Sequence, residues 1–114
     1  MEKILLITPT YNEAENIQKF IDCTKKFKEL HLLVVDDNSP DGTATIVEKN
    51  MQSSDSVKII KRSGKLGYGS AIIEGYKWGL ENNYYHFAQM DTDFSHRFED
   101  LIKLINEKNN SDLV

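Results

Sequence analysis

At 114 residues, with 39% hydrophobic and 28% charged residues, the chain has the size and composition of one folded domain, which excludes a disordered or low-complexity protein. Asp+Glu 18 against Lys+Arg 14 gives a formal net charge of -4 with no basic stripe, which argues against nucleic acid as the main partner. The single cysteine, Cys23, cannot form an internal disulfide, and the longest apolar runs, Ile4 to Ile7 and Leu32 to Val35, are too short to span a bilayer. With no signal-like segment at Met1-Glu2-Lys3-Ile4, the expectation is a soluble, cytoplasmic chain.

Lys3 to Thr8 is apolar on both faces, as in a central parallel strand, and Pro9 is expected to end it because proline donates nothing to a ladder. Asn12, with Glu15 three residues on, reads as the N-cap of a helix from about Glu13 to Phe27, carried by Ile17, Phe20, Ile21, Thr24 and Phe27. Cys23 falls within that helix as a packing residue. His31 to Asp36 is a second buried strand, with His31 at its surface end. The turn-rich Asp37-Asn38-Ser39-Pro40-Asp41-Gly42 follows, then a helix from about Gly42 to Met51.

Val57 to Lys61 alternates by twos and predicts a third, more exposed strand. The glycine-spaced Arg62 to Gly69 carries two cations and leads into a helix from about Gly69 to Glu81. Its inner face is expected at Ile72, Tyr76 and Leu80, with Gly75 and Gly79 permitting a close approach to the sheet. Tyr84 to Met90 is a fourth strand, Phe98 to Asn109 a fourth helix, and Asp112 to Val114 the start of a fifth strand. Strands alternating with helices imply right-handed βαβ units around a mostly parallel sheet with helices on both faces, in a single domain over residues 1–114.

Ligands of open α/β sheets sit beyond the carboxyl ends of the strands, and every polar motif of this chain leaves such an end. The first loop offers Tyr11, Asn12 and Glu13, the second Asp36 and Asp37, the third Arg62 and Lys65, the fourth Asp91 and Asp93. Carboxylates one residue apart repel unless a cation lies between them, and hard oxygen ligands suit Mg²⁺ or Mn²⁺ bridging to a substrate phosphate. A lone Asp-x-Asp could instead simply cap the following helix. A carboxylate after the second strand can take a ribose hydroxyl or the N–H edge of a base, and Lys65 and Arg62 would add positive charge near a diphosphate. No G-x-G-x-x-G follows the first strand and no G-x-x-x-x-G-K-[ST] occurs, which disfavours a dinucleotide-binding domain and a P-loop NTPase.

Thr8-Pro9-Thr10-Tyr11-Asn12-Glu13, Val34-Val35-Asp36-Asp37-Asn38-Ser39-Pro40-Asp41-Gly42-Thr43 and Gln89-Met90-Asp91-Thr92-Asp93-Phe94-Ser95-His96, with Arg62-x-Gly64-Lys65-x-Gly67-x-Gly69 between them, resemble the family 2 glycosyltransferases of the GT-A fold. Within these they are similar to the dolichol-phosphate or polyprenol-phosphate mannosyltransferases. The resemblance implies inverting transfer of a sugar from a nucleotide donor, typically GDP-mannose, to a lipid-linked phosphate, with possible peripheral contact with the membrane. By motif, Pro9, Tyr11, Glu13, Asp36 and Asp37 would contact the nucleoside, with Lys65 and Gln89 in the same donor site. Asp91 and Asp93 would be the catalytic pair serving the divalent metal and diphosphate, with Ser95 as a further metal ligand. A phosphate acceptor is already an anion, so the resemblance requires no general base. Family catalytic domains continue past the fifth strand into an acceptor-binding half, so the chain would correspond to the N-terminal, nucleotide-sugar-binding half.

Two other readings compete. A Mg²⁺-dependent phosphohydrolase of the haloacid-dehalogenase type also places Asp-x-Asp after a strand, but there it is the first strand of the core, whereas Asp91 follows the fourth. A non-catalytic nucleotide-binding or interaction module is the other. The sugar, the acceptor and the oligomeric state are not encoded in any of these motifs.

Overall fold

The computed structural model describes residues 3–64 and 66–92, so the helix expected at Phe98 to Asn109 and the strand at Asp112 to Val114 lie outside the described residues. Among the described residues four strands and three helices alternate: β1 (Ile4–Thr10), α1 (Ile17–Lys25), β2 (Leu30–Asp36), α2 (Thr43–Met51), β3 (Val57–Lys61), α3 (Tyr68–Glu81) and β4 (His86–Gln89). All the strand pairs are parallel, in the order β3-β2-β1-β4.

The two-residue period of the strands sorts the core into two layers. Leu6, Leu32 and Val34 pack with Ile17, Phe20 and Ile21 of α1 and Val47 of α2, and the half-buried Cys23 lies against this layer. Leu5, Ile7, Leu33 and Val35 point the other way, onto Ala71 and Ile72 of α3. Burying a side chain of this size contributes about 1.5–3 kcal/mol, so the doubly covered β1 and β2 anchor the fold.

Pro9 does not end the first strand; it lies inside β1, opposite Val35. The Ile7 carbonyl accepts from the Met90 N–H, so Pro9, two residues on, turns its nitrogen toward β4. The last β1–β4 pair is Ile7 with Gln89, so no ladder bond is forfeited there.

The inner face of α3 also differs from expectation. Its buried residues are Ala71, Ile72, Gly75 and Gly79, while Tyr76 and Leu80 are exposed. A Cβ on Gly75 would stand 2.7 Å from Ile7 Cγ2, and one on Gly79 would stand 2.4 Å from Phe87 Cε1. The glycines thus let the strand side chains, rather than the large helix residues, fill the gap.

Tyr84 and Tyr85 precede β4 instead of forming it. Tyr84 stacks on Trp78 at 6.0 Å, and its hydroxyl pairs with His31 Nδ1, which makes His31 half-buried rather than a surface residue.

Candidate functional site

The register aligns the carboxyl ends: Thr10 pairs with Asp36 and Asp36 with Lys61, while β4 stops level with Ile7. The chain order runs outward from β1 to β3 on one side and returns across α3 to β4 on the other. The switch of direction therefore falls between β1 and β4, where open α/β sheets hold ligands. A cavity of about 290 Å³ lies at this place, lined by Pro9, Thr10, Tyr11, Glu13, Asp37, Gly67, Tyr68, Asp91 and Thr92. It is at the lower end of the size range of ligand sites.

The loop after β1 is shaped by the loop after β2. Asn12 is not a helix cap: it adopts φ 57, and its N–H donates to Ser39 Oγ at 2.8 Å. The Glu13 and Ala14 amides donate to Thr43 Oγ1 and Asp41 Oδ2, so these side chains satisfy the donors that a cap would have taken. Helix α1 consequently begins at Ile17 and ends at Lys25, shorter than its periodicity predicts, and Tyr11 to Glu13 become cavity wall.

The two carboxylates after β2 diverge. Asp36, 1% exposed, accepts from Thr10 Oγ1 at 2.6 Å, Ser39 Oγ at 2.7 Å and the Ser39 N–H at 2.9 Å. Its hydrogen bonds shape the turn, and the residue is not among those lining the cavity. Asp37 does line it. Arg62 grips Asp37 through both oxygens, Nε to Oδ1 at 2.6 Å and Nη2 to Oδ2 at 3.0 Å, and the Leu66 and Gly67 amides add to Oδ2. Burial pushes the Asp37 carboxyl up, but the hydrogen bonds from Arg62 and these two amides outweigh it and hold it below its ordinary value.

Arg62 is therefore no diphosphate cation. Its remaining donors go to the Gly67 carbonyl at 3.0 Å and Ser70 Oγ at 2.8 Å, with Glu74 at 3.5 Å. Gly67, at φ 100, occupies a conformation that a side chain would strain, and it delivers Tyr68 to the cavity as α3 begins.

Asp91 reaches the cavity from the exit of β4, and Thr92 beside it is buried, its hydroxyl 3.3 Å from Thr8 Oγ1. Tyr68 lines the same cavity as Asp91: burial first, then the nearby Asp91 charge, push the Tyr68 hydroxyl up. Gln89 ends β4 as an exposed residue away from the cavity lining. Lys65, Asp93 and Ser95 lie outside the described residues. Among the described residues no group of three His, Cys, Asp or Glu side chains is placed to hold a metal, and no helix is long and apolar enough to cross a membrane.

Sequence reasoning named Pro9, Tyr11, Glu13, Asp37 and Asp91 and missed Thr10, Gly67, Tyr68 and Thr92. Tyr68 carried one signal: an aromatic residue between two glycines at a helix start, where no core position needs it.

Three curated relatives resemble the chain over almost all its length. The chain is 38% identical over 106 residues to the polyprenol monophosphomannose synthase of Mycolicibacterium smegmatis, covering 91% of the chain and 40% of that protein. It is 39% identical over 113 residues to the undecaprenyl-phosphate mannosyltransferase of Micrococcus luteus, covering 98% of the chain and 46% of that protein. For the dolichol-phosphate mannosyltransferase of Pyrococcus furiosus the figures are 38% over 116 residues, 98% and 32%. The chain thus spans less than half the length of each. Among solved structures, S. aureus TarS 1-349 in complex with UDP superposes with TM-score 0.72 and 25% identity, over 94% of the chain and 33% of TarS 1-349. The mannosyltransferase PcManGT from Pyrobaculum calidifontis, in complex with GDP-Man and Mn²⁺, shares the fold with TM-score 0.61 and 24% identity, over 67% of the chain and 24% of that protein. The sheet, with its helices on both faces, is the nucleotide-sugar-binding fold of GT-A glycosyltransferases, and the glycosyl transferase family 2 profile matches residues 5–114: the chain belongs to that family.

Proposed function

We propose that residues 1–114 form the nucleotide-sugar-binding unit of a glycosyltransferase that takes mannose from GDP-mannose and passes it, with inversion, to a polyprenol phosphate. The observation that carries this reading is the cavity at the strand-order switch, where Pro9, Tyr11, Glu13 and Asp37 meet Asp91. The names of the three curated relatives support mannose and a polyprenol-type acceptor, and the UDP held by TarS 1-349 supports a nucleoside diphosphate.

Pro9 and Tyr11 supply an apolar wall for the nucleoside. Asp37, held ionised by Arg62, has three donors on Oδ2 and one on Oδ1, which leaves Oδ1 acceptor capacity for a base N–H or a ribose hydroxyl. Asp91, with Asp93 and Ser95, would hold Mg²⁺ or Mn²⁺. The donor set fits: such ions bind through one or two carboxylates, with water and substrate phosphates completing the shell. When bound, the ion neutralises charge on the departing diphosphate. The acceptor is already an anion at neutral pH, so no side chain of this chain has to remove a proton. A lipid acceptor would bring the protein to the cytoplasmic face of a membrane as a peripheral partner.

Calorimetry with GDP and UDP, each with and without Mn²⁺, tests the reading. Expected are Mn²⁺-assisted GDP binding and a loss of more than about tenfold, or about 1.4 kcal/mol, in Asp91→Ala. Absence of nucleotide binding at millimolar concentration would favour a non-catalytic interaction module instead.

A further inference from the structure

We propose that Tyr68 is a positioning residue that aims the Asp91 carboxylate into the donor cavity; the inference rests on the metal-dependent donor-binding reading above. The backbone on either side of the crevice is anchored independently. On one side, Arg62 bonds the Gly67 carbonyl while Asp37 takes the Gly67 amide, so the residue before Tyr68 is pinned through both its backbone groups. On the other, the Met90 N–H is bonded to the Ile7 carbonyl and the buried Thr92 hydroxyl lies 3.3 Å from that of Thr8, which fixes the chain before and after Asp91.

Between these anchors, Tyr68 and Asp91 line the same cavity. Tyr68 is 48% exposed, far more than the core-facing Ala71 and Ile72 that follow it on α3, so packing does not account for its place. Its hydroxyl is the one group it brings to the cavity that can donate to a carboxylate, and Asp91 lines the same cavity. A donor on one carboxylate oxygen restricts the rotation of Asp91 and leaves the other oxygen presented to a cation, the arrangement by which outer partners orient a ligand. A tyrosine ring suits this role because it spans the crevice with few rotatable bonds.

The test uses calorimetry on the full chain with Mn²⁺ and GDP as probes, comparing wild type, Tyr68→Phe, Asp91→Asn and the double variant, with thermal melts of each. The expected result is roughly ten- to hundredfold weaker Mn²⁺-assisted GDP binding in Tyr68→Phe, the usual cost of losing an outer partner. The melting temperature without ligand should stay at the wild-type value, which a merely structural residue would not allow. In the Asp91→Asn background Tyr68→Phe should cost nothing further, because the group it orients is already gone. Equal affinity in wild type and Tyr68→Phe, or an undiminished loss in the Asp91→Asn background, would overturn the role of Tyr68. If the wild-type chain binds GDP no better with Mn²⁺, the metal-dependent reading fails, and the inference built on it fails with it.

Discussion

Asp36 and Asp37 are neighbours on the chain and opposite in role. Asp36 spends its hydrogen-bonding capacity on Thr10 and Ser39, whereas Asp37 is clamped by Arg62 and faces the cavity. The Asp37–Arg62 pair is buried on both sides, so removing one partner strands a charge. Replacing Arg62 by Leu should cost about 3–5 kcal/mol in urea unfolding at neutral pH. The pH dependence has a definite sign. The folded Asp37 carboxyl titrates below its ordinary 3.8, so the pair's contribution is complete above that pH and is lost as pH falls through the folded value. The gap between wild type and Arg62→Leu should therefore narrow below pH 3.8. In the sequence, Asp36 and Asp37 are alike and Arg62 resembles a phosphate ligand, because the Thr10–Asp36 and Arg62–Asp37 contacts join residues 25 or more positions apart. Asp91 is legible as a site candidate only beside the other loops that leave carboxyl ends, since a lone Asp-x-Asp reads equally as a helix cap.

At the scale of elements, composition predicts where a helix lies better than which way it faces. β3 has the expected bounds although its burial does not alternate by twos, and β2 and α2 lie within a residue of expectation. On helix α3 Ile72, Gly75 and Gly79 face the sheet as expected, but Tyr76 and Leu80 do not, because periodicity assigns bulk to the inside whereas here the sheet supplies the bulk and the glycines the space. A measurable asymmetry among glycines follows. Gly75→Ala gains about 1 kcal/mol of helix propensity but drives a Cβ to 2.7 Å from the buried Ile7, and overpacking of that kind costs about 1–3 kcal/mol. The net should be a destabilisation of up to about 2 kcal/mol in chemical denaturation. Gly69→Ala meets nothing within 4 Å on the same helix and should be neutral or slightly stabilising. Equal effects at the two sites would mean that α3 does not sit as close to β1 as these distances state.

For the molecule as a whole, the switch of strand order gathers four separate segments onto one rim, and a ligand there ties these segments together. The loop after β1, the turn after β2, the start of α3 and the exit of β4 all line the cavity. A donor bound across them should raise the stability of the entire cooperative unit rather than of one loop. At a hundred times its dissociation constant, a ligand stabilises by about 2.7 kcal/mol. For a domain near this size 1 kcal/mol moves the melting temperature by roughly 4–8 °C, so Mn²⁺ with GDP should raise it by about 10–20 °C in a single transition. A variant such as Asp91→Ala that binds a hundredfold more weakly would, at the same ligand concentration, retain only about 0.4 kcal/mol, a shift of about 2–3 °C. The opposite rim provides the control. Lys28 and His31 line a separate cleft at the amino ends of the strands, so substitutions there should leave the ligand-induced shift intact. A shift abolished equally from both rims would place the ligand somewhere other than the β1–β4 crevice.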